Sequence, residues 1–176
     1  MTDSSPPTSD HQVLSQWVHD HGQAVRGYLW AMVRREDVAD DLLQEVFRRA
    51  WQARNRYRES GAARAYLLRI ADRLVCDRAR QERREINLEP AEWEQVEPAS
   101  WETEPSCRLS QSETRQRLTE ALDRIAPAQR RVLLLRYYGD LDFAAIAEIM
   151  GCPLNTVLSH GRRGLLALRK ILADES

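Results

Sequence analysis

The sequence predicts an all-α protein, two small helical domains joined by a flexible acidic linker, the second being a helix-turn-helix domain. Three observations carry this expectation. Apolar residues recur at three-and-four spacing along most of the chain, and nowhere do Val, Ile and Thr alternate with polar residues as they would in a strand. The stretch 85–111 holds Pro90, Pro98 and Pro105 among Glu and Ser, which is linker composition. Further on, a short helical pattern, a glycine-centred turn and a second helical pattern follow one another.

The divisions expected are a disordered tail at 1–10, a first helical domain at 11–84, the linker at 85–111 and a second domain at 112–176. The tail carries Ser, Pro, Thr and acids, without the basic and then apolar segments of a secretory signal. The first helix is predicted over 13–33, with Leu14, Trp17, Val18, Val25, Tyr28, Leu29 and Met32 on its apolar face. A second follows over 37–55, turning Val38, Leu42, Leu43, Val46, Phe47 and Ala50 inward. The string 56–61 breaks the pattern as a loop, and 62–83 resumes it, burying Tyr66, Leu67, Ile70, Ala71 and Leu74. Trp93 and Trp101 are unusual in a plain spacer and suggest that the linker lies against something. The second domain opens with a helix through Leu118, Leu122 and Ile125. Pro127 suits the first turn of the next, 128–138, which Gly139 and Asp140 end. Asp142 is a good N-cap for a short helix presenting Phe143, Ile146, Ala147 and Met150 inward. Gly151-Cys152-Pro153 makes a tight turn, and Asn155 is expected to cap a last helix running to about Leu172.

A formal net charge of -1 hides a segregation: +3 over 1–84, -7 over 85–113 and +3 over 114–176. Within the first block, 54–84 holds 10 Arg against 4 acids. Two basic domains with an acidic strap between them suggest a polyanionic partner; the competing reading is a surface charged for solubility alone. No apolar run approaches the roughly 20 residues that a bilayer requires, so no membrane contact is expected. Cys76, Cys107 and Cys152 are widely spaced and lack a CxxC or Cys/His pattern, as in reduced thiols of a cytoplasmic protein. There is no Gly-rich phosphate loop and no nucleophile motif, and His11, His19, His21 and His160 make no convincing ligand set. Neither metal nor cofactor is expected, nor is enzymatic activity.

Placed at helical spacing, the last helix buries Val157, Gly161, Gly164, Leu168 and Ile171 and turns Asn155, Ser159, Arg162, Arg163 and Lys170 outward. That outer face suits DNA. Short polar residues at its start can approach base edges in the major groove, and Arg or Lys can reach guanine or phosphate. A helical hairpin with Gly at its turn also occurs as pure scaffold. A stand-alone helix-turn-helix regulator binding duplex operators is a second functional reading at this point.

Several motifs stand in the order of a known family. They are Asp41-Leu42-Leu43-Gln44-Glu45-Val46-Phe47 with Ala50-Trp51, then Ala65-Tyr66-Leu67-Leu68-Arg69-Ile70-Ala71, then 141–150 leading into Gly151-Cys152-Pro153 and Thr156-Val157. On these the chain resembles the extracytoplasmic-function (ECF) sigma factors, which direct bacterial RNA polymerase to promoters. The resemblance implies a cytoplasmic transcription initiation factor whose partners are core RNA polymerase, promoter DNA and an anti-sigma factor. It places polymerase binding on Asp40, Asp41, Gln44 and Glu45, whose carboxylates would meet basic residues of the polymerase. It places capture of the melted minus-ten strand on Arg56, Tyr57, Arg58 and Ser60, with Arg69, Arg73 and Arg80 and the neighbouring Arg64 and Arg78 extending the basic track. An aromatic face can stack an unpaired base there while Arg neutralises the backbone. Duplex reading at the minus-thirty-five element would fall to Asn155, Thr156, Ser159, His160, Arg162 and Arg163. The chain departs from the family at Arg73, usually Asn. Leu158, His160 and Leu165 stand where basic residues are common, and Gly161 and Gly164 where Ile or Ala is usual. A repressor needs neither a polymerase-docking helix nor a melted-strand loop, and this chain has the motifs of both.

Overall fold

A computed structural model of the chain describes residues 10–54, 62–85 and 112–174. The described residues form seven helices and no strand. Trp93, Trp101 and the loop with Arg56, Tyr57, Arg58 and Ser60 lie outside the described residues.

Helices α1 (Asp10–Val33), α2 (Glu36–Gln52) and α3 (Ala63–Glu85) each pack on the other two. Their apolar stripes meet in a core where Val25, Tyr28, Leu29, Ala39, Val46, Ala50, Leu67, Leu68 and Ala71 are fully buried. Arg34, in the left-handed region at φ 60, turns the chain out of α1, its N–H still donating to the Trp30 carbonyl at 2.8 Å. Glu36 and Asp37 then favour the positive end of α2. Val18 departs from expectation: it is 47% exposed, because Trp17 takes the inward position and meets the ring of Tyr66 edge-on at 6.0 Å.

The second half comprises α4 (Ser112–Asp123), α5 (Pro127–Tyr137), α6 (Phe143–Met150) and α7 (Leu154–Asp174). Pro127 stands at the first turn of α5 as its fixed φ favours. Asp142 caps α6, its side chain accepting from the Ala145 N–H at 2.7 Å, and Gly151 leaves the helix in the left-handed region at φ 65. The expectation for Asn155 needs correction. The Pro153 carbonyl accepts from the N–H groups of Thr156 and Val157 at 2.9 and 3.2 Å, so α7 starts at Leu154 and Asn155 lies inside its first turn. Leu118 is likewise exposed rather than inward, and Ala121 and Ile125 carry the packing of that end.

Helix α5 is apolar on more than one side, which marks a helix enclosed by neighbours. Leu133 joins Ala121, Ile125 and Leu168 in a small cluster with α4 and α7. Val132, Leu134 and Leu135 instead continue the core of α1–α3, which runs on through Leu141, Ile146 and Val157. The two halves are therefore packed directly on each other, α5 against α1 and α6 against α3.

Candidate nucleic-acid interface

The outer face of α7 is placed as the helical spacing predicts. Val157, Gly161, Gly164 and Leu168 are buried, while Asn155, Ser159, Arg162, Arg163 and Lys170 are exposed. The Arg163 guanidinium curls back to its own helix, donating to the Ser159 carbonyl at 3.4 Å. Thr156 and His160 are half-buried at the edge of this face. Leu154, Leu158 and Leu165 are exposed along it, so the surface alternates apolar and cationic residues.

On α2 the four acidic and amide positions share one side, but they are not equally available. Asp40 is held by Arg26 of α1 through bonds of 2.6 and 3.2 Å, and that bond lowers its carboxyl below the usual range. Glu45 accepts from Arg48 and Arg49, each at 2.6 Å, and these bonds bring its carboxyl down to about 2. This pairing also answers the like-charge contact of Asp41 and Glu45 one turn apart. Asp41 and Gln44 are exposed.

The arginines of α3 fall into two groups. Arg78 pairs with Glu82 and Arg80 with Asp77, both at 2.8 Å, within the helix itself. Arg64 and Arg69 meet carboxylates from the second half: Asp140 at 3.6 Å and Glu148 at 3.0 Å. Arg73 is exposed between them.

Sequence reasoning missed the polar centre of the contact between the halves. Asp72 of α3 is 3% exposed and accepts from the Tyr28 hydroxyl at 2.8 Å and from the Arg131 guanidinium in a two-toothed pair. Burial works to lower the Arg131 pKa, but the Asp72 hydrogen bond and charge outweigh it and the net shift is upward. Burial, reinforced by the Asp72 charge, pushes the Tyr28 hydroxyl well up. Beside this, buried Arg130 donates to the Ala31 and Met32 carbonyls at the end of α1, whose last turn has no basic residue of its own, and pairs with Asp123 at 2.8 Å. The separations of 59 residues between Asp72 and Arg131 and about a hundred between Arg130 and α1 leave no local trace in the sequence. Among the described residues no group of three His, Cys, Asp or Glu could hold a metal ion. No described helix is long and apolar enough to cross a membrane.

Comparison with known proteins agrees with this layout. The family model for Sigma-70 region 2 matches residues 17–85, within α1–α3, and that for Sigma-70 region 4 matches 115–168, within α4–α7. The ECF RNA polymerase sigma factor SigK of Mycobacterium tuberculosis (strain H37Rv) is 29% identical over 188 residues, covering 96% of this chain and 98% of that protein. SigK of Mycolicibacterium vanbaalenii is 30% identical over 150 residues, covering 84% and 76%. Among solved structures, the sigma factor RpoE of Bartonella quintana, in complex with the anti-sigma factor NepR, superposes with a TM-score of 0.69 at 22% identity, covering 93% of this chain and 96% of that one. CnrH, in complex with the cytosolic domain of CnrY, gives 0.67 at 19% identity, covering 96% and 92%. Two sigma-70 regions in family order, with relatives aligned along nearly the whole chain, make this protein a member of the ECF RNA polymerase sigma factor family, whose function is to direct RNA polymerase to promoters.

Proposed function

We propose a division of labour among this chain's own residues within that function, with domains at 11–84 and 112–176 joined by the acidic segment 85–111. Core polymerase is met by the exposed side of α2, led by Asp41 and Gln44, with Asp40 and Glu45 contributing once they exchange their internal arginines for the polymerase's own basic groups. The melted minus-ten strand is held by Arg56, Tyr57, Arg58 and Ser60 together with Arg69, Arg73 and Arg80. The minus-thirty-five duplex is read by Asn155, Thr156, Ser159, His160, Arg162 and Arg163 on the outer face of α7. The protein does no covalent chemistry of its own, acts in the cytoplasm, and is controlled by an anti-sigma factor. The last point is supported by the complex in which the RpoE relative of this fold is found. The observation that carries the reading is the exposed polar and cationic side of α7, seated by buried glycines, in the region that matches Sigma-70 region 4.

The docking assignment is tested by Asp41→Arg and Glu45→Arg in pull-downs with core polymerase. Asp41 is exposed, and exposed charge reversals typically change stability by no more than about 0.5 kcal/mol, so helicity should hold there; Glu45→Arg also removes the pairs with Arg48 and Arg49, and its helicity is measured beside its binding. Asp41→Arg is expected to weaken association more than Glu45→Arg, because Glu45 is already engaged by two arginines. Wild-type association by both variants would refute the assignment.

A further inference from the structure

We infer that Leu158, with Leu154 one turn before it, sets base preference in the minus-thirty-five duplex by receiving thymine 5-methyl groups of one strand. The inference rests on the reading of α7 as the helix that enters the duplex, and adds to it a base and a strand.

Leucines form one edge of the outer face of α7. At about 100° per residue, Leu154, Leu158 and Leu165 fall within about 40° of one another. They are 45%, 41% and 47% exposed. Asn155 and Arg162 run along the middle of the face, and Ser159 and Arg163 stand toward its other edge, all exposed. The face is therefore lopsided, apolar along one side and polar or cationic along the other.

The charge around the leucines identifies what covers them. Exposed Arg162, Arg163, Arg169 and Lys170 lie on α7, which has no acidic residue before Asp174. A polyanion is drawn to such a face, and Asn155 and Arg162 beside the leucines carry the groups that pair with adenine and guanine edges. A helix in the major groove turns its two edges toward opposite strands. The cationic edge then meets one strand, and the leucine edge meets the bases of the other. Leucine forms no side-chain hydrogen bond, so against the amino group of cytosine or adenine or the O6 of guanine it would displace water and put nothing in its place. Thymine alone presents a methyl group in this groove.

The spacing fits. Four residues of helix advance about 6 Å, and two base-pair steps about 6.8 Å, so Leu154 and Leu158 reach thymines within about three consecutive base pairs. Leu165 lies about 10 Å further along the helix, beyond the N-terminal residues through which a recognition helix meets base edges. At 158, where basic residues are common in the family, this chain therefore exchanges a phosphate contact for a methyl contact.

The test uses the full chain bound to core polymerase. Duplexes are selected by that complex from a pool randomised over the minus-thirty-five region, and each thymine of the selected duplex is then replaced by deoxyuridine, one strand at a time. Pairing is kept and only the methyl group is lost. Wild type is expected to lose about fourfold in affinity for each contacted thymine, on one strand only. Leu158→Ala should bind the thymine duplex more weakly, cease to distinguish thymine from deoxyuridine at its position, and keep its salt slope. Leu158→Lys should also lose the distinction and steepen the slope by about 0.9, from one added phosphate contact. Leu165→Ala, an equally exposed leucine of the same edge, should discriminate as wild type does.

Equal wild-type affinity for thymine and deoxyuridine duplexes would overturn the inference, as would discrimination that survives in both Leu154→Ala and Leu158→Ala. Weaker polymerase association of Leu158→Ala with discrimination intact would overturn it too, making the edge a protein contact. If Arg162→Ala and Arg163→Ala change neither affinity nor salt slope, α7 is not the reader and the inference falls with that reading. If they do change them while thymine and deoxyuridine bind alike, only the role of the leucines falls.

Discussion

Gly164→Ala is expected to destabilise the protein although it replaces a helix-interior glycine. Glycine in mid-helix costs roughly 0.5–1 kcal/mol relative to Ala, so propensity alone favours the change. A Cβ at this position would stand 3.0 Å from Leu133 Cδ1, 3.3 Å from its Cγ and 3.2 Å from Gln129 Cβ, all on α5. Gln129 Cβ is fixed to the backbone and Leu133 is 3% exposed, so neither yields by simple rotation. Overpacking of this kind typically costs about 1–3 kcal/mol, which leaves a net loss of about 1 kcal/mol. For a chain of this size that lowers Tm by about 2–4 °C. Gly22→Ala is the matched control: its Cβ would meet only Val18 Cγ1 at 3.9 Å, so the propensity gain should survive and Tm should rise. Thermal unfolding followed by circular dichroism compares the two. A Gly164→Ala variant as stable as wild type or more so would refute the claim that these glycines let α7 sit close on α5.

Two further outcomes follow. Arg162→Ala and Arg163→Ala, measured by anisotropy of the full chain on duplexes at several salt concentrations, should each reduce the salt slope by about 1 if the side chain meets phosphate. Either should cost about 1–3 kcal/mol on a preferred site if it meets guanine. An unchanged affinity and slope for both would remove α7 as the reader. Stability should decline in alkali: burial and the Asp72 charge raise the folded Tyr28 pKa above its unfolded value, so its contribution is present below about pH 10 and is lost as pH rises beyond it. The Cys76 thiol, also raised by burial, adds the same sign from about pH 8.5. Tyr28→Phe should show a shallower alkaline decline in denaturant unfolding, and an equal decline in both proteins would contradict the assignment.

Local chemistry made much of this structure legible in the sequence. The three-and-four spacing marked every helix, Asp142 and Gly151 announced the ends of α6, and the buried row from Val157 to Leu168 fixed which side of α7 faces out. What stayed hidden depends on contacts between distant residues. Asp72, Arg130 and Arg131 carry no local mark of burial until α5 closes on α1 and α3, and the apolar run from Val132 to Leu135 does not say which neighbours it serves. Likewise the acids of α2 look equivalent along the helix, while Arg26, Arg48 and Arg49 divide them into engaged and exposed. Asn155 was expected two positions too late for the cap: the Pro153 carbonyl accepts the first bonds of α7, which puts Asn155 inside its first turn.

The most direct measurement of the central claim is run-off transcription with core polymerase on a promoter library, with and without this protein. Initiation at a defined subset of promoters only in its presence is predicted. Transcripts identical in number and start site in both reactions would contradict the assignment of promoter-directing function to this chain.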